Sequence, residues 1–320
     1  MLEKRDWLMR HADHWRRALM HEPRGHADMC GAVLTEPVSP GSHAGVLFMH
    51  NDGYATMSGH GIIAVTTIAL ERGLIVPGGD GASVIFDTPA GVVRARAHFG
   101  AGGAGGAGGA GGAGGAGGDP SVKVERVVFT NVPSFVLHGG LLVVAGHRKV
   151  RVDVAFGGAF YAIVDSEAVG LPIDAAHLPE LRRAGMEIGR AVEAVQTIAH
   201  PIEAGLRGID GTIFTAPPTD EQSALRNVAV FAAAEADRSP GGTGTAAVMA
   251  VVDAMGLIGP ETSFVHEGVV GTRFTGRIAA RTTVGDYPAI VPEIEGAAWI
   301  TGEHTFLIDE NDPLKHGFRI

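Results

Sequence analysis

Cysteine is nearly absent. Cys30 is the single one in 320 residues, which excludes an internal disulfide framework and a cysteine-built zinc cluster and points to a reducing compartment, the cytoplasm. Basic blocks are missing as well. The formal net charge is -10, without Lys/Arg runs interleaved with aromatics, so nucleic acid and anionic membrane surfaces are repelled. No stretch reaches the roughly 20 apolar residues of a membrane span, and the opening "MLEKRDWLMRHADHWRRALM" is charged throughout, unlike a signal peptide. The 15 histidines form no His-Glu-x-x-His or comparable cluster, and His11-x-x-His14 is too sparse to predict a metal site.

What remains is ample material for a core. Apolar residues make up 45% and charged residues 19%, the balance of a globular protein. The length fits two domains, with one large α/β domain as the alternative. The N-terminal segment reads as an amphipathic helix with Leu8, His11, Trp15 and Leu19 near helical spacing. Strand patterns follow in "MCGAVLTEP", "AGVLFMHNDGY" and "ASVIFDTPAGVVRARAHF", and again in "VERVVFTNVPSFV" and "GLLVVAGHRKVRVDVAFGGAFYAIVD". Helices are expected over 177–205 and 219–226. The end of the chain, "GVVGTRFTGRIAARTTV" and "YPAIVPEIEGAAWITGEHTFLID", alternates like strands. Residues 100–118, a glycine and six Ala-Gly-Gly units, have no side chains for a core and read as an irregular hairpin loop remote from any site.

One repeat organises the rest. "SGHGIIAVTTIALERG" from Ser58 and "GGTGTAAVMAVVDAMG" from Gly241 align without gaps, Gly59 on Gly242, Gly61 on Gly244 and Gly73 on Gly256. Both predict a buried helix entered through Gly-x-Gly and stopped by glycine, with Ser58 as N-cap of the first. Free N–H groups at such entrances hold anions, and two that face one cleft hold one carboxylate. Each also reads as a core helix with glycine for close packing.

Together with these helices, the blocks "EPRGHADMCGAVLTEP", "HNDGYATMSGHGIIA", "FDTPAGVVRARA", "FTNVPSFV", "GGAFYAIVD", "GTIFTAPP", "ADRSPGGTGTAAVMA", "GTRFTGRI" and "AWITGEHTF" resemble the proline racemase superfamily over nearly the whole chain. That superfamily comprises proline racemases, hydroxyproline epimerases and trans-3-hydroxy-L-proline dehydratases. The resemblance implies an α+β, diaminopimelate-epimerase-like fold. It predicts two pseudo-symmetric domains, 1–150 with the Ser58 motif and 151–300 with the Gly241 motif, each a curved sheet around a central helix. The C-terminal tail is expected against the first domain. Relatives usually begin with an additional strand containing a Gly-Gly-Glu-Pro turn ahead of the "EKR" helix, whereas Met1 falls directly at that helix; either the start is misassigned or the chain is shortened, in which case a sheet edge and part of the cleft are expected to be unbuilt.

Members commonly carry a catalytic cysteine in Met-Cys-Gly-His and a second cysteine, or a threonine in dehydratases, in Asp-Arg-Ser-Pro-Cys-Gly-Thr-Gly. This chain has Ser58 and Gly241 at those places. Cys30 precedes Ala-Val in a strand pattern rather than opening a helix, so it is expected to be buried and structural. The resemblance implies a small imino acid, hydroxyproline or proline, as substrate, no metal or organic cofactor, no macromolecular partner beyond a homodimer, and the following roles. Its carboxylate would rest on the N–H groups of Gly59, His60, Gly61, Gly242 and Thr243, with His60 fixing amine or carboxylate. Asp237 would meet the ring ammonium, and Ser58 would take the Cα proton or relay it. Inversion needs two opposed proton carriers and a Ser/Gly pair lacks one, so dehydration of trans-3-hydroxy-L-proline to Δ1-pyrroline-2-carboxylate is the favoured reading. Epimerisation or racemisation, and imino-acid binding without chemistry, stay open beside it.

Overall fold

The computed structural model describes residues 1–77, 81–100 and 122–319. The Ala-Gly-Gly tract falls almost wholly outside them. The chain opens with α1 (Leu2–His11) and α2 (Asp13–Met20), followed by β1 (Cys30–Thr35), β2 (Ala44–His50), β3 (Tyr54–Ala55), α3 (Gly59–Glu71), β4 (Ser83–Thr88), β5 (Gly91–Phe99) and β6 (Val124–Thr130). Then come β7 (Ser134–Ala145), β8 (Arg148–Phe156), β9 (Phe160–Asp165), α4 (Ser166–Val169), α5 (Leu178–Val195), β10 (Gly211–Ala216), β11 (Leu225–Phe231) and β12 (Glu235–Ala236). The last elements are α6 (Gly242–Ala254), β13 (Phe264–Glu267), β14 (Arg273–Val284) and β15 (Tyr287–Gly296).

The topology repeats itself. In the first half β1 pairs antiparallel with β2, β2 with β3, and β2 runs parallel to β4 across the α3 connection; β4, β5 and β6 then meander. In the second half β10, β11, β12, α6, β13, β14 and β15 repeat that pattern pair for pair. β15 joins the halves by pairing with both β6 and β7, so that β7 to β11 and β13 to β15 close into a barrel around α6. The fold is α+β and diaminopimelate-epimerase-like.

The two central helices are built alike. Each has 13 residues, and eight of them in α3 and eleven in α6 are buried. Neither shows an amphipathic stripe: the barrel encloses α6, and α3 packs most of its faces on the first-half strands with Ile68 left exposed. The hydroxyls carried inside are satisfied locally, Thr66 on Ile62 O at 2.7 Å and Thr67 on Ile63 O at 2.9 Å. Ser58 caps α3 by accepting the Gly61 N–H. Gly73 at φ +63 and Gly256 at φ +73 follow the two helices in the left-handed conformation that stops a helix cleanly.

Several local expectations are corrected. The N-terminal helix is two helices that break at Ala12, and its inward residues are Arg16, Ala18 and Met20, while His11 and Trp15 are exposed. Arg16 is drawn inward by Asp13 and by the carbonyls of His50 and Asn51, a polar anchor that hydrophobic spacing does not register. The helix expected over 177–205 stops at Val195, and 219–226 holds no helix: 219–224 forms turns held by the Glu267 carboxylate, which accepts N–H groups of Thr219 and Asp220, and β11 begins at Leu225. Strand structure ends at Gly296. Residues 303–319 instead run back over the first half, where Arg72 meets Glu303, Arg24 donates to Leu307 O and Lys315 O, and Phe318 N–H bonds Glu22 O.

Candidate active site

The helix entrances meet on the repeat's own axis. A Cβ on Gly59 would lie 2.5 Å from the Gly242 Cα, and one on Gly242 would lie 2.5 Å from the Gly59 Cα, with the Phe129 ring beneath both. No other residue fits. These glycines let two helix N-termini, each the positive end of its dipole, approach to backbone contact. Among the described residues the N–H groups of Gly59, His60, Gly242, Thr243 and Gly244 make no hydrogen bond, whereas that of Gly61 is taken by Ser58 Oγ at 3.2 Å.

A cavity of about 230 Å³ opens beside these termini. Ser58, His60, Asp237, Gly241 and Thr243 line it, together with Gly244. Gly59, Gly61 and Gly242 do not; they sit behind it, Gly61 against the Phe48 ring. The remaining wall is largely apolar and pseudo-symmetric: Phe48 and His50 from β2 face Ala229 and Phe231 from β11, with the His50 and Phe231 rings edge to face at 6.0 Å.

Charge is concentrated in one pair. His60 Nδ1 lies 3.2 Å from Asp237 Oδ2. Burial disfavours the imidazolium, but the Asp237 carboxylate outweighs it and Cys30 adds to the same side, so the pKa of His60 is raised well above 6.5. Asp237 moves the other way: burial pushes its carboxyl up, and the His60 charge with the Ser239 hydrogen bonds pulls it below its ordinary 3.8. Its Oδ1 accepts Ser239 N–H at 2.9 Å and Ser239 Oγ at 2.8 Å, and that hydroxyl in turn accepts the Gly241 N–H at 3.1 Å. The result is a fixed cation beside a fixed anion at the mouth of two helix dipoles.

Sequence reasoning missed part of the wall. Cys30 is not buried: it is exposed, lines the cavity and adjoins His60. It stands at the first residue of β1, where the strand opens onto the cleft, and strand pattern alone does not say which end of a strand faces a site. Asp210 and Tyr161 also line the cavity. The Tyr161 hydroxyl shares a 2.7 Å hydrogen bond with Thr243 Oγ1, and burial pushes its pKa up. Asp210 immediately precedes β10, the counterpart of β1, but the repeat sets it opposite Met29, which does not line the cavity, so the sequence carried no signal for it.

The fold and the paired helix entrances define a class, two-half α+β proteins with a small cleft at the junction onto which both helix N-termini open. The chain belongs to the proline racemase family, whose profile matches residues 1–106 and 110–319. It is 42% identical over 317 residues to a trans-3-hydroxy-L-proline dehydratase of Bacillus thuringiensis subsp. konkukian, covering 99% of this chain and 89% of that one. It is 40% identical to a 3-hydroxyproline 2-epimerase of Burkholderia multivorans, covering 100% of this chain and 90% of that one. A crystal structure of a hydroxyproline epimerase from Agrobacterium vitis with bound trans-4-hydroxy-L-proline superposes with a TM-score of 0.86 at 28% identity, over 100% of this chain and 86% of that one. No described helix is long and apolar enough to cross a membrane.

Proposed function

We propose that the protein dehydrates trans-3-hydroxy-L-proline to Δ1-pyrroline-2-carboxylate. The observation that carries the reading is Gly241: the N-cap position that faces Ser58 across the repeat has no side chain, so of the two N-cap positions only Ser58 can exchange a proton with Cα. Inversion at Cα demands a proton carrier on each ring face. In trans-3-hydroxy-L-proline the Cα hydrogen and the C3 hydroxyl share one face, so elimination asks for chemistry on that face alone. The dehydratase named among the relatives is consistent with this assignment.

The His60–Asp237 pair matches an amino-acid zwitterion, His60 to the carboxylate and Asp237 to the ring ammonium. The unbonded N–H groups of His60, Thr243 and Gly244 supply further donors for the carboxylate and for the enediolate that forms as Cα loses its proton. Ser58, having passed its own hydroxyl proton to a water in the cleft, takes the Cα proton on Oγ. The Gly61 N–H and the α3 dipole favour negative charge on its oxygen. The C3–O bond then breaks, water leaves, and the enamine tautomerises to the imine. The substrate is a free imino acid.

Incubation of the purified protein with trans-3-hydroxy-L-proline, followed by o-aminobenzaldehyde to trap pyrroline, tests the reading. A coloured adduct that grows with enzyme concentration is expected. A 2-epimer of the substrate without adduct would establish an isomerase instead.

A further inference from the structure

Loss of a hydroxyl needs an acid at the departing oxygen, and no residue carried over from the family motifs has that task. We propose that Asp210 is a further catalytic residue of this site, the general acid that protonates the C3 hydroxyl as it leaves. The inference rests on the dehydratase reading.

Four observations converge on Asp210. It lines the same cavity as Ser58 and His60, at the end formed by β9 and β10. Its carboxyl is held in one orientation by a reciprocal pairing with Phe160, whose N–H donates to Oδ2 at 3.0 Å and whose carbonyl accepts the Asp210 N–H at 2.9 Å. Its Oδ1 makes no hydrogen bond among the described residues, which leaves that oxygen to carry a proton toward a ligand. Burial pushes the carboxyl up to about 7, against the Phe160 N–H and the Arg5 charge and with help from Glu193. At neutral pH a large share is therefore the protonated acid, as a proton donor at a leaving group requires. No other carboxyl lining the cavity is in that state: Asp237 is held ionised by His60.

The step balances without a cofactor. The electron pair of the Cα–H bond becomes the C2=C3 double bond, and the C3–O pair leaves with oxygen. That oxygen takes the proton of Asp210 and departs as water; Ser58 holds the Cα proton and its hydroxyl exchanges with solvent, from which the Asp210 carboxylate is reprotonated.

A leaving group that needs no proton separates this role from a structural one. Asp210→Asn should lower pyrroline formation from trans-3-hydroxy-L-proline by about 10²–10⁴-fold, the usual worth of a general acid. It should eliminate chloride from trans-3-chloro-L-proline at close to the wild-type rate, and Asp210→Glu should restore part of the hydroxyl elimination. Equal losses on both substrates, or none on either, would overturn the assignment. Wild-type protein that forms no pyrroline from either substrate would instead overturn the dehydratase reading beneath it.

Discussion

Gly59 and Gly242 stand in contact, each occupying the space where the other's Cβ would be, 2.5 Å from the facing Cα. Because they are equivalent positions of the repeated unit, one contact fixes both central helices and aims both N-termini at one cleft. The sequence repeat and the active-site geometry are thus one feature.

Adding a methyl group at either position forces the helices apart. Gly59→Ala and Gly242→Ala are each expected to destabilise the protein by about 1–3 kcal/mol, the usual range for overpacking a tight core. Urea denaturation measures this, and unchanged midpoints would show that the helices yield without cost.

Gly241 is more than a site from which a thiol is missing. Its φ of +74 is a conformation that other L-residues rarely adopt, and a Cβ there would lie 3.2 Å from Asp237 Oδ2. Gly241→Cys, combined with Ser58→Cys to restore two opposed carriers, is expected to gain inversion of L-proline while losing about 1–3 kcal/mol of stability to backbone strain. Polarimetry and thermal unfolding of the same preparation read both. Gained inversion at undiminished stability would show that the loop relaxes freely.

Much of this was legible beforehand. The glycine-stopped helices at 59–71 and 242–254 were readable because their Gly-x-Gly entrances, length and terminal glycines recur in one ungapped alignment. Cys30 was misplaced because a strand pattern gives the two faces but not which end borders the cleft. Asp210 went unnoticed for a related reason: its carboxyl is raised chiefly by burial, and the Phe160 backbone that fixes its orientation is brought beside it only by the β9–β10 pairing. The turns at 219–224 looked helical because Glu267, the residue that organises them, is far away in sequence.

Cys30 offers a direct probe of the cleft, being the single cysteine. Iodoacetamide is expected to add one label, seen by mass spectrometry, and saturating pyrrole-2-carboxylate to slow the labelling. A rate indifferent to ligand would place the ligand elsewhere.

The His60–Asp237 pair sets a pH dependence of stability. His60, with its folded pKa raised above 6.5, contributes fully below 6.5 and loses that contribution as pH rises through its folded pKa. Asp237, with its folded pKa below 3.8, contributes above 3.8 and loses it as pH falls through the folded value. The pair's stabilisation is therefore greatest between those limits. Urea midpoints recorded across pH should show that the difference between wild type and Asp237→Asn is largest there; a constant difference would deny the coupling.

Asp237→Asn also removes the partner of the ring ammonium. Binding of L-proline is expected to weaken by about 1.5–3 kcal/mol, the worth of a hydrogen bond to a charged group. Pyrrole-2-carboxylate, which has no ammonium, should lose far less. Calorimetry that finds equal losses for the two ligands would contradict the pairing.

The central claim is that a cleft with a side chain at only one of the two helix N-cap positions, Ser58 and not Gly241, eliminates water but does not invert Cα. The most direct measurement is proton NMR of the wild-type protein in D2O with trans-3-hydroxy-L-proline and, separately, trans-4-hydroxy-L-proline. Conversion of the first to pyrroline carboxylate, with no cis-4-hydroxy-D-proline from the second, is the predicted result. Accumulation of cis-4-hydroxy-D-proline, or of the 2-epimer of the first substrate in place of pyrroline, would contradict it.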